Sequence, residues 1–146
     1  MKIIGEWHPF DDGVERPAVR ILLQRVGAQP IEVPMLLDTG ADRTVFSANL
    51  LPELAPMTTP PPSDRSLAGV GGNVGYLSLQ TTLIFTRDDG QPITARGEFA
   101  IFTELASSDL SVLGRDVLDN FVVIVDRPGD TVLLLAPRHR YRVEVV

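Results

Sequence analysis

Twelve prolines and twelve glycines interrupt this 146-residue chain at short intervals. That spacing leaves no room for a long helix. Each proline inside a helix removes a backbone hydrogen bond and clashes with the preceding turn, at a cost of about 3 kcal/mol. The segments between the breakers instead carry strand signals. Val19 to Val26 is β-branched and apolar and runs into Gly27-Ala28-Gln29-Pro30, a turn. Ile31 to Leu37 reads as a second strand, in which Pro34 predicts a bulge or a position needing no N–H. From Tyr76 to Phe85, Leu77, Leu79, Thr81, Leu83 and Phe85 share one face at period 2. Arg87 to Gln91 forms a hairpin turn into a strand with Ile93, Ala95, Gly97, Phe99 and Ile101 on one face.

Phe121 to Val125 is apolar without alternation, which predicts a strand buried on both faces. Asp126 to Asp130 turns the chain into a last core strand, Thr131 to Ala136. Helix is confined to one capped turn at Ser47 to Leu51, expected to stop near Pro52, and a short stretch at Arg115 to Asn120. Thr58 to Pro62 reads as an extended surface linker, and the first sixteen residues as a polar, irregular arm packed by Trp7, His8 and Phe10. The expected architecture is all-β: an arm, 1–16, and a single domain, 17–146, a length that supports a real core.

Composition removes several chemistries. Without cysteine there is no disulfide, thiolate metal site or cysteine nucleophile. His8 and His139 are the only histidines, so a histidine metal cluster or a Ser/His/Asp triad is poorly supplied, and no metal or other cofactor is expected. A net charge of −6 opposes nucleic-acid binding. The opening Met1-Lys2-Ile3-Ile4 meets Gly5-Glu6 at once, leaving no apolar signal region, and no run nears the ~20 residues of a membrane helix. A soluble, cytoplasmic protein without membrane or nucleic-acid partners is the expectation.

The chemistry concentrates in three stretches. Met35-Leu36-Leu37-Asp38-Thr39-Gly40-Ala41-Asp42 runs an apolar strand straight into Asp-Thr-Gly. The bare tripeptide arises by chance in a few per cent of chains this long, roughly, and can also be a polar turn. Ser111-Val112-Leu113-Gly114-Arg115-Asp116 is another apolar run, ending in Gly-Arg-Asp. Between them Gly69-Val70-Gly71-Gly72-Asn73-Val74-Gly75 opens the long strand from Tyr76. A phosphate loop fits this glycine stretch poorly, because no Gly-Lys-Ser/Thr follows and a strand succeeds it. A flexible hairpin and a mobile flap over substrate both remain open.

In this order the three stretches resemble the retropepsin-like aspartic proteases, over roughly Val19 to Phe121. Asp38-Thr39-Gly40-Ala41 matches the family's catalytic loop, Leu113-Gly114-Arg115-Asp116 its second motif, and the glycine stretch falls where the family has its flap. The resemblance implies a homodimeric, closed β-barrel or sandwich with one or two short helices. It implies Asp38, Thr39 and Gly40 as catalytic residues, with Thr39 hydrogen-bonding across the dimer. Ala41, Asp42, Val70, Gly71 and Gly72 would contact substrate. Gly114 and Arg115 would give structural support, Arg115 as a bidentate brace to Asp42, although both members of that pair can equally be purely structural. Arg43 would be exposed or line a subsite.

The residues themselves carry the chemical argument. Peptide hydrolysis by carboxylates needs two in one site, one to accept a proton from water and one to donate to the carbonyl oxygen. Carboxylates about 3 Å apart cannot both ionise and so share a proton. This chain holds one Asp-Thr-Gly; Asp12-Gly13 and Asp89-Gly90 read as turns. The second carboxylate must come from another copy, which makes the expected protein an isologous homodimer acting on peptides with water as nucleophile. A phosphohydrolase built on Asp-x-Asp fails at Gly40. The alternative is a non-catalytic module that uses the same fold for dimerisation or peptide binding. The tail from Arg138 alternates, with Arg138, Arg140 and Arg142 opposite His139, Tyr141, Val143 and Val145. It reads as a charged terminal strand or as a dimer strand.

Overall fold

Alternation and turn residues place the long strands. The computed structural model describes residues 1–61, 67–69, 72–104, 110–136, 142 and 144. Its strands are β1 (Lys2–Ile4), β2 (Glu6–Pro9), β3 (Glu15–Arg25), β4 (Ala28–Leu37), β5 (Val45–Phe46), β6 (Thr58–Thr59), β7 (Leu67–Gly69), β8 (Gly72–Val74), β9 (Tyr76–Thr86), β10 (Pro92–Phe102), β11 (Val112–Leu113), β12 (Val122–Asp126) and β13 (Thr131–Leu135). Two four-residue helices, α1 (Leu51–Leu54) and α2 (Arg115–Leu118), and two 3-10 turns complete the described elements. The chain is mostly β with few, short helices.

Eight strands form one sheet in the order β2-β3-β4-β11-β5-β10-β9-β6, and β3 also pairs with β9 at Leu22–Ile84 and Leu23–Leu83. A smaller sheet runs β1-β13-β12. Both contribute to one core: Ile21, Leu23, Met35, Phe46, Leu83 and Phe85 come from the large sheet, and Ile3, Val132 and Leu134 from the small one. Gly5 sits where the chain crosses between them. A Cβ there would lie 2.5 Å from the Ala18 carbonyl oxygen and 2.6 Å from Val132 Cγ1, so only glycine lets the two layers approach.

Several local expectations change. Pro34 makes no bulge; it stays in register opposite Arg20. Leu36 donates its N–H outward to the Ser111 carbonyl, so Pro34, two residues earlier, turns its nitrogen to the same edge. There β4 pairs with β11 only at Leu36 and Leu37, and no ladder bond is lost. The irregularity falls earlier, where Leu23 to Arg25 oppose Ile31 to Ala28 and the extra residue lies at Gln29-Pro30. The Ser47 cap holds, its side chain accepting the Asn49 N–H at 3.2 Å. Pro52 does not end the helix; it occupies the first turn of α1, where its missing N–H costs nothing.

Thr58 and Thr59 are an edge strand on β9; Pro62 of the expected linker lies outside the described residues. The first residues are not irregular. β1 pairs with β13 and buries Ile3, and β2 pairs with β3. Trp7 packs on the core, and His8 meets the Phe10 ring edge-on at 4.9 Å. The largest correction concerns β12. Among the described residues it pairs only with β13, and Val125 is 46% exposed, so the strand is not buried on both faces. An apolar run alone does not report whether a second sheet covers it. The alternating tail lies outside the described residues apart from Arg142 and Glu144.

Candidate active site

Leu37, the last residue of β4, pairs in parallel with Leu113 of β11. The next N–H, that of Asp38, still reaches the Leu113 carbonyl at 3.2 Å. Asp38 therefore leaves the sheet with its backbone held on the strand and its half-buried carboxylate on the turn. Asp38 Oδ1 accepts the Gly40 N–H at 2.9 Å, and the Asp38 carbonyl accepts the Ala41 N–H at 3.2 Å. A Cβ on Gly40 would crowd Oδ1 at 3.1 Å, which is why the amide can come so close. Thr39 and Gly40 are exposed at the tip. Among the described residues no cation lies within ion-pair distance of Asp38.

The loop is clamped from behind by the second motif. Arg115 donates its N–H to the Ala41 carbonyl at 2.8 Å, and Asp116 donates to that of Asp42 at 3.2 Å. Gly114 passes so near the returning chain that a Cβ would sit 2.4 Å from the Arg43 carbonyl carbon. The Arg115 guanidinium bonds the Asp42 carboxylate through one nitrogen and one oxygen, so the expected bidentate brace is a single contact. With both side chains at least half exposed, such a pair contributes only about 0–1 kcal/mol.

The stronger clasp went unread in the sequence. Fully buried Thr44 donates its hydroxyl to Asp116 Oδ1 at 2.7 Å, and its N–H lies 2.9 and 3.0 Å from the two carboxylate oxygens. The same hydroxyl accepts the Gly114 N–H at 3.0 Å. One carboxylate and one hydroxyl thus lock two loops 72 residues apart in the chain. The available signal was a Thr two residues past Asp42 and an acidic residue in the first turn of a helix, a position that favours negative charge.

Arg43 is half-buried, with its guanidinium carbon 5.6 Å from the centre of the Tyr76 ring. Tyr76 packs with Val45 and Ala100, and Phe102 lies against them. This contact ties the Asp38 loop to the foot of the glycine-rich hairpin. There β7 and β8 pair Leu67 with Val74, Ala68 with Asn73 and Gly69 with Gly72. The backbone of Gly72 is thus placed in a hairpin; Val70 and Gly71 lie outside the described residues. Asp38 to Asp42, Gly114 and Arg115 come together at one corner. Among the described residues no group of three or more His, Asp or Glu could hold a metal ion, and no helix is long and apolar enough to cross a membrane.

The half-buried Asp38 thus sits at a strand end, clamped by the Gly114-Arg115-Asp116 segment from the other half of the chain. The chain matches the family model of the retroviral aspartyl protease over residues 14–125, more than half its length, and belongs to that family. Two solved structures resemble the chain. A retropepsin-like aspartic protease from Rickettsia conorii superposes with a TM-score of 0.54 at 14% identity, over 92% of this chain and 90% of that one. The EIAV protease complexed with the inhibitor HBY-793 is 28% identical over 71% of this chain and 86% of its own, with a TM-score of 0.47. No curated protein matches the sequence at a significant level.

Proposed function

We propose that this chain is an aspartic endopeptidase whose active site is assembled from two identical copies, each contributing Asp38. The observation that carries the reading is the setting of Asp38: half-buried, hydrogen-bonded to its own loop, free of a described counter-ion and present once per chain. Family membership supports the chemistry, and the single Asp-Thr-Gly supports the pairing.

Water bound between the two Asp38 side chains is the nucleophile. One carboxylate takes its proton as the oxygen attacks the peptide carbon, while the other, protonated, donates to the carbonyl oxygen. The resulting gem-diol collapses when a proton reaches the leaving nitrogen, breaking the C–N bond and returning the pair to its starting state. Such acid–base assistance contributes typically about 10²–10⁴-fold in rate. Exclusion of bulk water by the β7–β8 hairpin adds to it. Thr39, Gly40, Ala41 and Asp42 face the substrate side of the loop in this reading, while Gly114 and Arg115 hold the loop in place.

A peptide-library digest with wild type and Asp38→Asn, from acidic to neutral pH, tests the proposal. Cleavage by wild type that vanishes in the variant is expected. Equal cleavage by both would overturn the assignment. A folded wild type that binds peptides without cutting them would leave the non-catalytic module in its place.

A further inference from the structure

Along most of its length β10 has one open edge. On one side β9 follows the whole strand, but on the other β5 pairs only with Ala100 and Ile101. No described strand lies beside Pro92 to Phe99 on that second side. Ala100 turns its N–H away from β9, to the Thr44 carbonyl at 3.3 Å. Strand alternation turns the N–H groups of Arg96 and Thr94 the same way, toward the open edge. The Pro92 nitrogen faces that edge too, so the proline removes no bond to β9.

The two faces beside this edge differ in character. On the core side a trough of about 520 Å³ is lined by Ile93, Ala95, Phe99, Phe85, Val117 and Phe121. Gly97, midway along the edge, leaves it unfilled. On the outer side a cleft of about 630 Å³ joins Arg96 to Arg25 and Val26, at the end of β3, and to Met57. Thr82 lines this cleft opposite Arg96; it is 9% exposed, and its hydroxyl makes no hydrogen bond among the described residues. Among the described lysines and arginines, Arg96 alone has no ion pair, hydrogen bond or aromatic ring.

We propose that this edge takes up an extended segment of another protein as an added strand, with apolar side chains in the trough and one acidic side chain at Arg96. Backbone hydrogen bonds to an open edge give such pairing its strength, and pockets for alternate side chains give its selectivity. Charge specifies the occupant. A chain of net charge −6 repels acidic segments in general, and Arg96 is the cation not already committed. Glu98, two residues along the same face, repels a second acid, so the segment carries one. The trough also reaches the back of the active-site clamp, since Val117 belongs to α2, whose first turn holds the Asp38 loop. Binding here does not require Asp38 and is read apart from cleavage.

Two capped fluorescent peptides that alternate valine with threonine, one with a central glutamate and one with lysine there, are titrated against Asp38→Asn, which leaves them uncut. The glutamate peptide should bind about tenfold more tightly than the lysine peptide. Adding Arg96→Glu should reverse that order. Thr94→Pro removes one outward N–H where an edge strand tolerates proline, and should weaken both peptides roughly tenfold. Thr94→Val should bind as the parent does. Hydrogen exchange at the Thr94 and Arg96 amides should slow when the glutamate peptide binds. Binding that ignores both Arg96→Glu and Thr94→Pro lies elsewhere on the protein and overturns the proposal, as does a folded protein that binds neither peptide. Amides already protected in the free protein overturn it too: protection lost on dilution puts a second copy on the edge, and protection lost on removal of residues 137–146 puts the chain's own tail there. Peptide binding as expected, in a protein whose wild type cleaves nothing, overturns only the protease reading.

Discussion

The carboxylate of Asp12 accepts the Val14 N–H at 3.0 Å, and that of Asp38 accepts the Gly40 N–H at 2.9 Å. Both close a tight turn beside a glycine, and by local geometry alone they are alike. Their surroundings differ. The Arg16 guanidinium grips Asp12 through both oxygens, at 3.0 and 2.7 Å. Asp38 has no such cation among the described residues and is walled by the backbone of a distant segment. A carboxylate already committed to an arginine has little left for a substrate. The motif forms the turn; the partners decide whether the turn is a site.

Replacing the two aspartates one at a time is the most direct way to break that contrast. Asp38→Asn should reduce peptide cleavage to background. Its melting temperature should barely move, because the amide oxygen can still accept the Gly40 N–H. Asp12→Asn should cleave at the wild-type rate. If both variants lost activity, the partner sets would not be what separates the two turns.

Glycines behind the two turns sharpen the point, with smaller effects. Gly114→Ala drives a Cβ to 2.4 Å from the Arg43 carbonyl carbon, so the clamp must open. Urea unfolding should show a loss of about 3 kcal/mol, the upper end of ordinary overpacking, together with reduced cleavage. Gly13→Ala meets no atom within 4 Å but must hold a φ of +77°. It should lose about 1 kcal/mol and leave cleavage unchanged. Thr44→Val, nearly isosteric, removes the hydroxyl between Asp116 and Gly114. A buried donor lost in this way costs about 1–2 kcal/mol, and a double-mutant cycle with Asp116→Asn should show the two positions coupled.

These positions also mark how far the sequence could be read. The strand that ends at Leu37 and the turn over Asp38 to Gly40 are legible because an apolar run ending in a turn leaves a local trace, as are the alternation of β9 and the turn at Gly90. The Thr44–Asp116 clasp is not, since nothing local in either segment reports a contact 72 residues away. Pro52 misled because the same residue ends one helix and begins another. At Phe121 to Val125 the pattern recorded hydrophobicity without recording what covers it. Each miss lies at a place where tertiary packing supplies the missing term.

The smallest effect concerns Asp12 and its arginine, read by acid titration. Arg16 holds the Asp12 carboxyl down from 3.8 to about 2, first through its hydrogen bonds and then with help from the Val14 N–H. A carboxyl lowered in the folded state favours folding at pH above its unfolded value and loses that contribution as pH falls through the folded one. The window for Asp12 is therefore about pH 4 down to about 2. Asp12 is exposed, so solvent and salt weaken the pair. Within that window the melting temperature of Asp12→Asn should fall less steeply with acid than that of wild type, and the gap should shrink in high salt. Cleavage by the two proteins should coincide at every pH where both are folded. A parallel pair of melting curves would mean that Arg16 does not hold Asp12 in solution, and the contrast with Asp38 would then rest on burial alone.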